Sequence, residues 1–135
     1  SYYEVNGSSY YPKIVDVDLN GSENLLFVKR LTGANSRIHF FELSQKKVEN
    51  SISTEVYNYF ILFPNQDTQR PLNIASTKLT PNFDVKMSRF VDDCPELSRK
   101  IQSQSRGYFL PSYSLGNTKK VDVFLRIINE YNACH

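Results

Sequence analysis

The sequence predicts an α+β fold, an antiparallel β-sheet meander of about five to six strands packed by about two or three C-terminal helices. Residues 1–80 contain short apolar runs rich in aromatic and β-branched side chains, separated by Gly, Pro and Asn. Residues 81–135 instead repeat apolar side chains at helical spacing. With 135 residues, of which 40% are hydrophobic and 22% charged, the chain is predicted to form one domain spanning 1–135, mainly β over 1–80 and mainly α over 81–135.

The strands of the first 80 residues follow from apolar runs that end at turn signals. The clearest runs are 25–31, 38–43 and 56–63. A turn cluster with Gly33 at its centre separates the first two and predicts a hairpin. Residues 10–11 and 14–15 are expected to form one or two further strands and 70–75 a short one, with turns at Asn6-Gly7 and Asn20-Gly21.

Three helices follow from the spacing of apolar residues in the last third of the chain. The first carries one face made of Phe83, Met87, Phe90 and Val91. The second begins at Pro95, because proline is favoured at the first helical position, and buries Leu97 and Ile101. The third is entered by Thr118 as its N-cap, after a loop at 103–116, and has a face made of Val121, Phe124, Ile128 and Tyr131.

The predicted core combines one side of the strands with the apolar helix faces. Register decides which strand residues point inward, because a slip of one residue reverses every side chain. The core is expected to contain Leu26, Val28, Phe40, Phe60, Leu62, Ile74, Met87, Phe90, Leu97, Ile101, Phe124 and Ile128.

Charge and hydropathy exclude two classes of partner. Sixteen basic residues face 14 acidic ones, which leaves a net charge of +2 with no basic stripe, so nucleic-acid binding is not expected. The longest apolar runs are far shorter than a membrane span, so the chain is not expected to cross a bilayer.

Four tyrosines, Tyr2, Tyr3, Tyr10 and Tyr11, lie within the first eleven positions. One interpretation is an edge strand whose rings pack on a small core. The other is a partner-binding surface, because tyrosine supplies contact area at low entropic cost.

The segment Asp16-Val17-Asp18-Leu19-Asn20-Gly21 has the opening pattern of a calcium-binding loop. Oxygen ligands at Asp16, Asp18 and Asn20 would suit Ca²⁺, and Gly21 would supply the sharp bend. The twelfth position is Phe27, where such a loop needs a bidentate glutamate. The favoured interpretation is therefore a strand followed by an Asn-Gly turn, with calcium binding as the alternative, and no other cofactor is expected.

No catalytic motif is present, and the chain is not expected to be an enzyme. His39 and His135 are widely separated, and no phosphate-binding loop, nucleophile elbow or metalloprotease motif occurs. The adjacent carboxylates Asp92 and Asp93 are expected to cap the helix that follows them and to stabilise its macrodipole rather than to act as an acid–base pair.

The two cysteines, Cys94 and Cys134, lie at the ends of predicted helices. An even pair indicates a disulfide in an oxidising compartment and two buried thiols in a reducing one. The start at Ser1, without Met, indicates either that a segment such as a secretory signal was removed or that the sequence begins inside a longer chain.

The C-terminal third resembles a group of small exported proteins of Bacteroidetes bacteria, in which aromatic β-hairpins precede a helical C-terminus. The matching residues are the run Asp93-Cys94-Pro95-Glu96-Leu97, followed by Tyr131-Asn132 and Cys134. The resemblance implies export to the cell envelope and a Cys94–Cys134 disulfide. It implies no catalytic activity.

We therefore expect a non-catalytic accessory or interaction protein of the bacterial cell envelope, located in the periplasm or at the cell surface. Its partner would be a protein of an outer-membrane or secretion-related assembly, bound through an exposed sheet edge or the tyrosine-rich start. The alternative is a secreted module that binds a small ligand or calcium. A hydrolase with an unrecognised site is the least favoured, since the two histidines lie far apart in the sequence.

Overall fold

A computed structural model describes residues 2–111 and 116–134 and has the predicted α+β architecture. The described residues form one six-stranded antiparallel sheet, with its strands in chain order, and three helices. The strands are β1 (Tyr3–Val5), β2 (Ser8–Val15), β3 (Asn24–Arg30), β4 (His39–Glu49), β5 (Ile52–Leu62) and β6 (Leu72–Asn73). The helices are α1 (Phe83–Phe90), α2 (Pro95–Gln102) and α3 (Asn117–Ala133).

The chain divides into two compact units. The first comprises the described residues up to Ala34 together with His39–Asn73, and it holds the whole sheet. The second comprises Asn35–Ile38 and the described residues from Ile74 onward, and it holds the helices. The expected single domain stays a prediction.

The sheet of the first unit is a meander that curves back toward its own start. The backbone N–H of Ile14 donates to the carbonyl of Gln69 at 2.7 Å, and the side-chain amide of Asn73 donates to the carbonyl of Asp16 at 3.0 Å. These bonds bring the segment around β6 against β2. The inner side of the curve carries a cluster of buried residues, Val15, Val28, Phe41, Leu43, Phe60 and Leu62.

The turns of the sheet are set by residues in the left-handed region. Asn6 and Gly7 have φ values of 50° and 81°, which gives the predicted tight turn between β1 and β2. Asn50 and Ser51 have φ values of 51° and 64° and join β4 to β5. β2 is continuous from Ser8 to Val15, so the first of the two expected alternatives, one strand over 10–15, is the observed one.

The helices of the second unit bury the faces that the spacing predicts, with local differences. Leu97 and Ile101 of α2 are fully buried, as are Phe83 and Met87 of α1. The N-cap of α3 is Gly116 rather than Thr118, because the helix already includes Asn117. Part of the predicted loop, residues 112–115, lies outside the described residues.

Two predicted core residues are only half-buried. Leu26 packs at the margin of the inner cluster, and Phe90 ends α1, where the next residue, Val91, is buried in its place. Phe40 and Phe41 are both buried, so β4 is covered on both faces at this point. Buried and exposed side chains therefore do not alternate along this part of the strand.

A tyrosine on β5 makes the stability of the sheet sensitive to alkaline pH. Tyr59 lies opposite Glu42 in the β4–β5 register, and its hydroxyl donates to the Glu42 carboxylate at 3.0 Å. Burial, and next this hydrogen bond, raise the pKa of Tyr59 from 10.0 to about 12.

We expect the stability provided by this neutral phenol to be fully present below pH 10, the unfolded value, and to be lost as pH rises toward about 12. Urea unfolding across this range should show a steeper fall in the free energy of unfolding for the wild type than for Tyr59→Phe. Equal slopes for the two proteins would contradict the assignment.

Candidate functional site

The four N-terminal tyrosines lie on both faces of the sheet. Tyr2 stacks on Tyr11 with ring centroids 5.1 Å apart, and Tyr11 packs against the inner cluster. Tyr3 stacks on Tyr10 at 5.0 Å on the opposite face. Each of the two sequence interpretations therefore describes one pair: Tyr11 belongs to a small core, and Tyr3 belongs to a surface.

The surface pair is part of a larger apolar patch, the aromatic face, which consists of Tyr3, Tyr10, Leu25 and Phe27. The ring of Phe27 lies 4.9 Å from that of Tyr3. Leu25 is 68% exposed, Phe27 48% and Tyr3 43%. Large apolar side chains that are contiguous and this exposed are typical of interaction surfaces.

Next to the aromatic face, the two long hairpins of the sheet separate. β3 and β4 pair at two positions, Lys29 with Glu42 and Arg30 with Phe41. Beyond these pairs, β3 remains paired with β2 as far as Asn24, and β4 remains paired with β5 as far as Glu49.

We call the facing segments Asn24–Val28 of β3 and Leu43–Val48 of β4 the fork. Among the described residues, no strand pairs with either segment on its fork side.

The predicted calcium ligands lie in the loop between β2 and β3. The Asp16 carboxylate accepts backbone N–H groups of Asn20 at 3.2 Å and Gly21 at 2.9 Å. The side-chain oxygen of Asn20 accepts the N–H of Ser22 at 2.9 Å. These oxygens stabilise the turn, and within residues 2–111 and 116–134 no group of three His, Cys, Asp or Glu side chains could hold a metal ion. Calcium binding by Asp16, Asp18 and Asn20 stays a prediction.

The expected disulfide is present in the second unit. Cys94, which is buried, is bonded to Cys134, and their Cα atoms are 6.1 Å apart. The bond joins the start of α2 to the end of α3.

A polar cluster, the clasp, lies beside the disulfide and consists of Ser36, Arg37, Asp93, Tyr131 and Asn132. The Tyr131 hydroxyl donates to the Asp93 carboxylate at 2.8 Å, and the Arg37 guanidinium lies 3.6 Å from the same carboxylate and 4.4 Å from the Tyr131 ring centroid. Asn132 accepts the N–H of Arg37 at 2.9 Å and donates to Ser36 at 3.0 Å.

The clasp corrects one part of the interpretation of the acidic pair, the N-cap, whereas stabilisation of the helix macrodipole stays a prediction. The N-cap of α2 is Cys94, whose side chain forms no cap hydrogen bond. Asp93 instead binds Tyr131. Asp93, Tyr131 and Asn132 of the C-terminal motif thus have a structural role around the disulfide.

A second ion cluster in the helical unit is also structural in character. Glu130 accepts hydrogen bonds from Tyr108 at 2.7 Å and Lys100 at 3.0 Å. Burial raises the pKa of Glu130, but the two hydrogen bonds outweigh it and the net pKa is lowered. The hydrogen bond to Glu130 is the main cause of the raised pKa values of Tyr108 and Lys100.

The helical unit also contains a cleft of about 690 Å³. Its walls are mainly apolar and include Pro81 and Phe109, with Asp84 and Lys120 as charged groups. The Asp84 carboxylate accepts a hydrogen bond from Gln104 at 3.2 Å. A volume of this size fits a small organic molecule.

His39 is the histidine that the described residues contain, and it lies at the start of β4. Its Nδ1 lies 2.7 Å from the hydroxyl of Thr32. Burial, followed by the positive charges of Arg30 and Lys13, lowers its pKa. The absence of a catalytic site stays a prediction.

In the part of the chain that the structure describes, no helix has the length and hydropathy needed to cross a bilayer. Comparison with known proteins adds no relative: no protein-family model, curated protein or solved structure matches the chain. The resemblance to exported proteins of Bacteroidetes therefore stays a prediction.

Proposed function

We propose that the protein is a non-catalytic interaction subunit of a bacterial cell envelope, exported to the periplasm or cell surface. There it binds a protein of an outer-membrane or secretion-related assembly through the aromatic face. The observation that carries the proposal is the exposure of Leu25, Phe27 and Tyr3 on one contiguous part of the sheet. Burying such side chains in an interface is favourable in proportion to the apolar area removed from water.

The aromatic face is ordered before any partner binds. Tyr3 is held between Tyr10, at 5.0 Å, and Phe27, at 4.9 Å, and the three residues lie on paired strands. A partner would therefore bind rings whose rotamers are already restricted, which reduces the entropic cost of association. Tyrosine and phenylalanine are also enriched at the centres of protein interfaces.

Two observations support the location. The Cys94–Cys134 disulfide is of a kind that persists in oxidising compartments, which in bacteria lie outside the cytoplasm. The resemblance of the C-terminal motif to exported proteins points the same way.

The proposal predicts site-specific contact with one partner. A photo-crosslinking amino acid placed at Phe27 should capture a single envelope protein in near-stoichiometric yield when the chain is produced in its native host. The matched control is the same amino acid at Tyr2, which is 55% exposed but lies on the opposite face.

Phe27→Thr should then weaken the purified complex by about thirtyfold, the effect of losing an interface anchor worth about 2 kcal/mol. Equal capture from Tyr2 and Phe27, or a complex unaffected by Phe27→Thr, would contradict the proposal.

The cleft in the helical unit favours the second candidate, a secreted module that binds a small ligand or calcium. Asp84 and Lys120 would orient a polar ligand against the apolar wall. A rise in melting temperature with a small-molecule panel that is lost in Phe109→Ala would support the ligand version. A rise with Ca²⁺ that is lost in Asp16→Asn would support the calcium version.

A further inference from the structure

We propose that the fork is a strand-addition site: it accepts a single extended segment of another polypeptide, which lies between β3 and β4 and carries acidic side chains among apolar ones. This inference rests on the proposed function and names how the partner docks. It begins from the two hairpins, which continue on either side of the fork without pairing to each other.

The directions of the backbone groups show which residues face the fork. The N–H of Leu31 donates to the carbonyl of Phe40 across the β3–β4 boundary at 2.8 Å. Since backbone groups alternate in direction along a strand, those of Leu25 and Phe27 also point toward β4. Ile14, which lies opposite Leu25, donates its N–H away from β3, to Gln69, as this alternation requires.

The same alternation on β4 directs the backbone groups of Ser44, Lys46 and Val48 into the fork. Both walls thus present backbone donors and acceptors that no strand among the described residues pairs with. A strand that already belongs to another sheet has one free edge, whereas a strand lying between two walls needs two. The fork therefore fits an isolated extended segment better than the sheet edge of a second copy.

The side chains of the walls indicate the composition of the segment. Asn24–Val28 carries no charged residue, and such an edge lacks the lysines and prolines with which sheet edges are usually protected. Leu25 and Phe27 project onto the aromatic face, so the alternate residues of an added strand would extend that face. This wall selects apolar side chains.

The other wall selects negative charge. Lys46 and Lys47 are exposed, and neither forms an ion pair within the described ranges. Glu55 is opposite Lys46 in register, but its carboxylate accepts a hydrogen bond from Ser44 at 2.5 Å. When the apolar residues of an added strand extend the aromatic face, its alternate acidic residues lie on the opposite face of the sheet. Lys47 projects to that opposite face, since it alternates with Phe41 and Leu43 along β4, so the acidic residues would complement Lys47.

The probe is a synthetic peptide of about seven residues in which valines alternate with glutamates, long enough to span the roughly 17 Å of Asn24–Val28 at about 3.4 Å per residue. Hydrogen exchange of the full chain should slow at the amides of Leu25, Phe27, Ser44 and Lys46 when the peptide is added. The amides of Leu26 and Val28, which point toward β2, serve as internal controls. A version with lysines in place of the glutamates should bind about tenfold more weakly.

The decisive variant is Leu25→Pro. It removes an N–H that faces the fork and belongs to no ladder of the free protein, and proline is tolerated on strand edges of this kind. Peptide binding should be lost while exchange at Leu26 and Val28 stays unchanged. Lys47→Glu should also weaken binding, whereas Lys119→Glu, an equal change of charge on α3, should not.

Three outcomes would overturn the strand-addition site. One is protection of the fork-facing amides in the free protein. The second is association of two copies through these amides. The third is a partner that photo-crosslinks to Phe27 and binds Leu25→Pro normally, which would leave the proposed function standing without this mode of docking.

Discussion

Removal of the disulfide is expected to lower the free energy of unfolding by about 4 kcal/mol. The estimate comes from the entropy that a cross-link removes from the unfolded chain, and here the cysteines are 40 residues apart. The change is Cys94→Ala together with Cys134→Ala, because alanine leaves no unpaired hydroxyl at the buried position of Cys94. Urea unfolding without reductant, followed by circular dichroism, measures the loss.

Reductant provides the matched control for this prediction. It should destabilise the wild type by about the same amount and leave the double variant unaffected. The end of α3 should show the largest increase in hydrogen exchange, since Cys134 is its C-cap. A wild type that unfolds at the same urea concentration with and without reductant would contradict the prediction.

The disulfide and the clasp together account for the C-terminal motif. Cys94 and Cys134 join α2 to α3 covalently, and Asp93 with Tyr131 joins the residues immediately beside them. The motif thus encodes the closure of the helical unit. The residues of the motif are thus occupied in stabilising the helical unit, and the aromatic face lies in the first unit.

The helices could be predicted in detail because their signals are local. The proline rule located the start of α2 at Pro95, and apolar spacing identified Leu97 and Ile101 as its buried face. Thr118 was a wrong N-cap because Gly116, which lacks a side-chain acceptor, occupies that position instead.

The long hairpin of β4 and β5 could not be predicted to its full length. Residues 44–55 are mostly polar and charged, and the turn at Asn50 and Ser51 has no glycine. The two strands are stabilised by pairing with each other over their whole length, which is a property of two segments rather than of one. A pattern of apolar residues in one segment carries no information about such a ribbon.

Only part of the candidate site could be predicted from the sequence. The crowding of Tyr3 and Tyr10 indicated a surface, but Leu25 and Phe27 were assigned to an ordinary strand because exposure depends on which face the register turns outward. The fork could not be predicted from the sequence, because the end of β3–β4 pairing at Lys29 and Glu42 depends on two segments that are distant in the chain. The N-cap predicted from the acidic pair was wrong for the same reason: Asp93 accepts a hydrogen bond from Tyr131, which is 38 positions away in α3.

Loss of the Asp93 carboxylate is expected to lower the free energy of unfolding by about 2 kcal/mol, in the range for a hydrogen bond to a charged acceptor. Asp93→Ala leaves the Tyr131 hydroxyl without this acceptor and removes the carboxylate that lies 3.6 Å from the Arg37 guanidinium. The ion pair adds little, because its side chains are 35% and 47% exposed.

Asp92→Ala is the control for this change, because it removes an exposed neighbouring carboxylate of the same charge. It should alter stability by less than about 0.5 kcal/mol. A double-mutant cycle with Tyr131→Phe separates the hydrogen bond from the ion pair, and Tyr131→Phe should have little further effect once Asp93 is alanine. If Asp92→Ala and Asp93→Ala destabilised the chain equally, the carboxylates would act through general charge near α2, and the helix-capping interpretation would replace the clasp.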